Sequence, residues 1–385
     1  MDPSVPKIPP LSLYVHFPWC LKKCPYCDFN SYKIKGSIPE AAYIQALLQD
    51  LRGSVTPDLR ARPLISIFIG GGTPSLFSGK AIKELLSEIQ EILPFSKDIE
   101  ITLEANPGAV EQSFFAAYQE AGVNRLSIGV QSFSDIHLKR IGRIHSAKEA
   151  FQAIELAQKI GFNNFNIDLM YGLVKQTLSE AMADLKSAIE TGAPHVSWYQ
   201  LTLEPQTFFS QFPPILPNEN VLCDIQETGE AILQEHKFTH YEISAWGQER
   251  FSRHNCNYWT YGDYLGIGAG AHAKVTQYPG GTIMRQERVK HPQDYMSKTK
   301  PFIQCTWTVS PETQIFEYFL NRFRLLTPPS CKEFREVTGL PLEAIEPMKQ
   351  LAIHKLLLED LPDWIQPTPL GRRFLNDLTS LFLPK

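Results

Sequence analysis

Short β-rich runs alternate with stretches of helical period over the first two thirds of this chain, and that alternation admits few architectures. LSLYVHF (residues 11–17) is a strand candidate that stops at Pro18, and PEAAYIQALLQDLRG behind it carries apolar residues at helical spacing. LISIFIGGGTPS, DIEITLEANPG, NRLSIGVQSF, FNNFNIDLMYGL and HVSWYQLTLEP repeat the strand signal, with AIKELLSEIQEIL, EQSFFAAYQEAG, SAKEAFQAIELAQKIG and EAMADLKSAIETG between them as helices. Six strand candidates joined by helices of about 12 residues predict βα units around a parallel sheet, an α/β fold. Most of these strands run into polar or small residues, the pattern of a barrel whose chemistry sits at its strand C-termini. Six units are too few for a closed eight-stranded barrel, so an open or partial barrel is expected.

The remainder divides by texture. Residues 206–305 are less regular and rich in Pro, Gly and aromatics, as in YWTYGDYLGIGAGAH. Residues 306–385 read as compact helices (ETQIFEYFLNRFRLL, SCKEFREVTGL) with a strand-like WIQPT, a small winged-helix-like domain. Three units are therefore expected: a core barrel over 1–205, an extension over 206–305 and an accessory helical domain over 306–385. With 43% hydrophobic residues, 20% charged residues and a net charge of −4, nothing attracts nucleic acid in bulk. The first residues lack a charged-then-apolar signal, and no apolar run reaches membrane-spanning length. A cytoplasmic protein is expected, compatible with peripheral membrane contact.

Of seven cysteines, three fall in HFPWCLKKCPYCDF as C-x3-C-x2-C: Cys20, Cys24 and Cys27. Cys223, Cys256, Cys305 and Cys331 are scattered, so this is no disulfide framework. Structural zinc asks for four ligands, and His16 is the near candidate for a fourth. Soft thiolates without that partner suit an iron–sulfur cluster better, with one iron left open for a small molecule. FIGGGTPS (68–75) reads as a tight βα turn or as a place where backbone N–H groups approach a ligand.

The cysteine run, with Tyr26 before its last member, resembles the signature of radical S-adenosylmethionine (SAM) enzymes. GGGTP, LEANPG, RLSIGVQSF, LKRIGRIH, IDLMYGL and HNCNYW extend the resemblance to the coproporphyrinogen-oxidase branch, which includes HemW-type heme chaperones. It implies a partial (β/α)6 radical SAM barrel with a 4Fe–4S cluster on Cys20, Cys24 and Cys27 and SAM at the open iron. Tyr14 and Tyr26 would flank SAM; Gly71, Gly72 and Thr73 would contact it through the glycine turn. Glu104, Gln131, Arg143 and Asp168 would supply polar contacts, since a carboxylate holds an ammonium or ribose and an Arg grips a carboxylate.

Within that branch two readings compete, an oxidase that turns two propionates of coproporphyrinogen III into vinyls and a chaperone that delivers heme to an acceptor protein. Both imply an electron donor. The oxidases resemble C-x3-C-x2-C-x-C, and here Phe29 holds the last position; they also carry a longer segment before the cysteines. HNCNYW (254–259) resembles the HNxxYW segment tied to heme in HemW-type proteins, with His254 as the expected axial ligand. Cys256 is a lesser candidate there, and His272 at most a contact. All three features favour the chaperone.

Overall fold

The computed structural model describes residues 7–297 and 299–384. Residues 1–6, read above for their lack of a signal segment, lie outside the described residues. Six parallel strands make the core: β1 (Leu11–Phe17), β2 (Leu64–Gly71), β3 (Phe95–Ala105), β4 (Arg125–Gln131), β5 (Phe165–Tyr171) and β6 (His195–Gln200). Each is followed by a helix: α1 (Glu40–Ser54), α2 (Gly79–Ile92), α3 (Phe115–Glu120), α4 (Ala147–Ile160), α5 (Leu178–Glu190) and α6 (Glu219–Glu235). The fold is the expected partial (β/α)6 barrel.

The expected strands are near-continuous apolar runs because both faces are covered. Leu13, Val15, Ile67, Ile69, Leu103, Leu126, Ile128 and Ile167 are all sealed. Helix starts follow local chemistry: Ser146 and Thr177 each close a capping box with the Glu three residues on.

Residues 206–305, read as an extension, continue the barrel sheet at both edges. On one side β7 (Thr239–Glu242) and β8 (Ala245–Gly247) pair beyond β6. On the other, beyond β1, come β9 (Asp263–Ile267), β10 (His272–Gln277), β11 (Thr282–Arg288) and β12 (Ile303–Thr308). The twelve strands run β12-β11-β10-β9-β1-β2-β3-β4-β5-β6-β8-β7. Helix α6 was not legible in the sequence. It buries only Ile225, Gly229 and Leu233, four residues apart, which is too thin a stripe to read against its polar neighbours.

The C-terminal helices have their own core, with Tyr318, Phe319, Phe334, Ile345 and Phe382 packed together and onto Tyr261 and Ile283. The expected WIQPT strand is reduced to isolated bridges, Ser330 with Trp364 and Leu358 with Pro367. This domain bridges the barrel's two open edges. Leu326 N–H donates to Tyr241 O (3.0 Å) beside β8, and Arg285 of β11 pairs with Glu317 (2.7 Å).

Candidate functional site

A cavity of about 450 Å3 opens at the C-terminal ends of the six parallel strands. The cysteine loop roofs it. The loop is held by a short parallel pair, Trp19–Cys20 with Tyr32–Lys33, and by Asn30, whose amide donates to Ala269 O and Lys290 O (2.9 Å each). Cys20, Cys24 and Cys27 all face the cavity. Burial pushes the Cys20 and Cys27 thiols up, the effect that a bound iron reverses by taking the proton's place. Three soft sulfurs on one loop fit an iron–sulfur cluster.

The glycine turn holds this loop in place. A Cβ at Gly72 would lie 2.4 Å from the Trp19 carbonyl oxygen, and one at Gly71 (φ +117°) 2.6 Å from the His16 ring. Gly71 N–H donates to Glu104 Oε2 (3.0 Å) and Gly72 N–H to Phe17 O (2.7 Å). The Gly71 and Gly72 N–H groups are thus engaged within the protein rather than directed at a ligand, which corrects the expectation for these two glycines.

Below the roof, Glu104 and Asp168 line the cavity, and among the described residues no cation is hydrogen-bonded to either. Asp168 accepts from Asn166 (2.8 Å) and Ser127 (3.1 Å), yet burial raises it. Burial, together with the facing Asp168 carboxylate, pushes Glu104 up to about 8. Such a pair favours a cationic ligand, which would restore the charged forms. Arg143 Nη2 is held by Asn106 Oδ1 (2.6 Å) and Gly129 O (2.7 Å), with Nη1 3.9 Å from Cys24 Sγ. The fixed guanidinium thus sits between the thiols and the carboxyl pair. Gln131, at the end of β4, is in the left-handed region (φ 68°), and its Oε1 accepts the Tyr199 hydroxyl (2.7 Å).

Tyr26, Gly71, Gly72, Thr73, Glu104, Gln131, Arg143 and Asp168 all line this cavity, as the sequence suggested. Tyr14 does not. It stands in the lumen below, its hydroxyl on His16 Nδ1 (2.8 Å) and its ring toward Phe68 and His254. The sequence reading missed Asn106, which donates to Thr73 Oγ1 (3.0 Å) while holding Arg143, and Tyr199. Asn106 directly follows a strand and Tyr199 alternates with buried Trp198, which is the signal that would have found them.

HNCNYW lies at the other end of the barrel. It forms α7 (Arg253–Trp259), which plugs the strand N-termini. The Glu100 carboxylate of β3 accepts the N–H groups of Arg253 and His254 (3.2 Å each). Asn257 donates to Ser12 Oγ of β1 (2.9 Å), Ser12 meets Ser66 Oγ of β2 (2.7 Å), and Ser66 meets His254 Nδ1 (3.2 Å). His254 is 1% exposed, stacks on Phe68 at 4.9 Å, and is held neutral by burial, down at about 3. The expected heme ligand His254 is therefore enclosed between α7 and the strands, with Nδ1 on Ser66 and Nε2 buried without a hydrogen-bond partner among the described residues. Burial likewise pushes the Cys256 thiol up to about 12, away from a thiolate ligand.

Comparison with known proteins agrees with this geometry. The radical SAM superfamily profile matches residues 14–188. The heme chaperone HemW of Escherichia coli is 49% identical over 98% of this chain and 99% of its own length. The chain belongs to the HemW family of radical SAM proteins. A second family member, the heme chaperone HemW of Bacillus subtilis, is 36% identical over 97% of this chain and 99% of its own. The structure of E. coli coproporphyrinogen III oxidase, a radical SAM enzyme, superposes with a TM-score of 0.81 at 22% identity, covering 99% of this chain and 92% of that one. It shares the fold. Among the described residues no helix is long and apolar enough to cross a membrane.

Proposed function

We propose that this chain is a heme chaperone, which binds heme and passes it to an acceptor protein in the cytoplasm. The carrying observation is the full-length relation, at 49% identity, to a protein named for that role. Phe29 supports it: this side chain stands at the cavity rim, 56% exposed, where the oxidases carry a further cysteine.

In the same reading Cys20, Cys24 and Cys27 hold a 4Fe–4S cluster, and SAM fills the cavity beneath it. When bound, such a cluster supplies an electron to the sulfonium of SAM. The chain's own residues bind and orient. Glu104 and Asp168 receive the ligand's positive charge and ribose hydroxyls, Arg143 its carboxylate, and the carbonyls of the glycine turn its ammonium. Tyr26 and Tyr199 flank the cavity.

Anaerobic incubation with SAM, a reductant and coproporphyrinogen III, run beside a hemin titration, tests the proposal. Saturable one-to-one hemin binding without vinyl product is expected. Vinyl product without hemin binding gives the oxidase instead.

A further inference from the structure

A buried nitrogen of the barrel floor lacks a protein partner. His254 Nδ1 meets Ser66 Oγ, while Nε2 is buried without a hydrogen-bond partner among the described residues. With the ring proton on Nδ1 and held by Ser66, Nε2 keeps a free lone pair, as in a metal-ligating imidazole. Burial keeps the ring neutral, which is its ligating form. Phe68 stacks on this ring at 4.9 Å, and Tyr258 meets it edge-on at 4.4 Å.

Tyr258 stands four residues on from His254, on the same face of α7. It also lines a second cavity, of about 410 Å3, between α7, strands β9–β11 and the C-terminal helix α8 (Pro311–Arg322). Tyr258 therefore separates the His254 ring from that cavity. Ring contacts with His254, Trp259 and Tyr264 hold its side chain, and its hydroxyl has no hydrogen-bond partner among the described residues. The walls suit a flat aromatic ligand: Tyr258, Trp259, Tyr264 and Phe316 line the cavity, and Trp259 Nε1 is buried without a hydrogen-bond partner among the described residues. Leu320, 45% exposed, lines it from α8. Arg285 supplies a cation with donors to spare. It gives Nε and Nη2 to Glu317 (3.2 and 2.7 Å) and Nη1 to the Tyr264 hydroxyl (2.6 Å), three of its five N–H groups. Lys274, also in the wall, is committed to Asp263 and to the Tyr261 carbonyl.

We infer that heme enters through this cleft between α7 and α8 and reaches His254 Nε2 when Tyr258 swings aside, with Arg285 taking a propionate; this rests on the heme-chaperone reading above. Moving one side chain joins the cavity to the imidazole, whereas from the mouth Tyr14 and Phe68 stand in the way. Burial pushes the Tyr258 hydroxyl well up, so it stays protonated and acts as a gate rather than a phenolate ligand. A propionate on the free N–H groups of Arg285 makes charge-assisted bonds at a guanidinium already fixed by Glu317.

The test is hemin uptake by the full chain, read by stopped-flow and equilibrium absorbance, for wild type, Tyr258→Ala, Leu320→Trp and Arg285→Gln. Hemin dimethyl ester serves as the propionate-free probe. Tyr258→Ala is expected to take up hemin about tenfold faster with an unchanged histidine-ligated Soret band. Leu320→Trp, which narrows the cavity from α8 without touching the floor, should take it up severalfold more slowly. Wild type should bind hemin about tenfold more tightly than the ester, and folded Arg285→Gln should bind both alike. Wild-type uptake rates in both Tyr258→Ala and Leu320→Trp overturn the route while leaving the chaperone reading intact. A full preference for hemin in Arg285→Gln overturns the propionate contact. Failure of the wild type itself to bind hemin saturably overturns the chaperone reading, and the cleft with it.

Discussion

The two ends of this barrel each gather buried polar groups, and they are built to opposite purposes. At the floor Ser12, Ser66, His254 Nδ1 and Asn257 Nδ2 form one chain of bonds and Glu100 closes the helix above them, while His254 Nε2 and Asn257 Oδ1 are buried without a hydrogen-bond partner among the described residues. At the mouth the corresponding groups open onto a cavity. Glu104 and Asp168 face open space with raised pKa values, three thiols line the same cavity, and Gln131 is held in left-handed backbone. Polar groups packed between strands and a plugging helix make structure, whereas perturbed titratable groups oriented into a cavity make a binding site. Position relative to the strand direction decides which is which, more than residue type does.

The largest effect should come from the mouth. Cys24→Ser is expected to abolish cluster assembly while the barrel stays folded, measured as iron content and EPR after anaerobic reconstitution; full cluster content in that variant would break the contrast. At the floor, His254→Ala removes a stacked ring and its hydrogen bond, so a loss of about 2–4 kcal/mol is expected in denaturant unfolding. The floor histidine also sets a pH dependence. Its folded pKa, about 3, lies below the unfolded value of about 6.5. The unfolded chain therefore binds the extra proton between those values, and stability falls as pH drops through that window while being fully present above it. His254→Gln should flatten this profile, and an unchanged profile would show that the floor is not what titrates.

Gly72→Ala sharpens the comparison from the roof. Its Cβ has no room beneath the Trp19 carbonyl, so a cost of about 1–3 kcal/mol is expected, together with a lower cluster yield. The smallest effect is at the carboxyl pair. Glu104→Gln should weaken SAM binding roughly tenfold, about 1.4 kcal/mol. With Glu104 at about 8 in the free protein, wild-type affinity should rise from pH 7 to 9 as the carboxyl loses its proton. Calorimetry at several pH values reads both, and a flat wild-type profile would remove Glu104 as the charge partner.

Much of the mouth was legible because its residues sit at strand ends. Cys20, Cys24 and Cys27 follow β1, Gly71 ends β2, Glu104 is near the end of β3, and Gln131 ends β4. Local pattern predicts strand ends, and strand ends in a parallel barrel converge. Tyr14 was misplaced because periodicity tells which face of β1 it lies on but not how far down the lumen. The burial of His254 was not legible for a related reason. Its motif is local, whereas its burial comes from Ser12, Ser66 and Glu100, which are far away in the chain.

The sequence by itself determined the six βα units, the partial barrel and the thiol loop with its spacing, since these rest on short-range periodicity and turn chemistry. Only the tertiary structure decided that residues 206–305 close both edges of one sheet, that HNCNYW is the barrel's floor, and that Tyr258, Arg285 and Leu320 line one cleft. Each of those depends on strand register or on contacts between distant segments. Their free energy comes from burial across the fold, which no local stretch of the chain encodes.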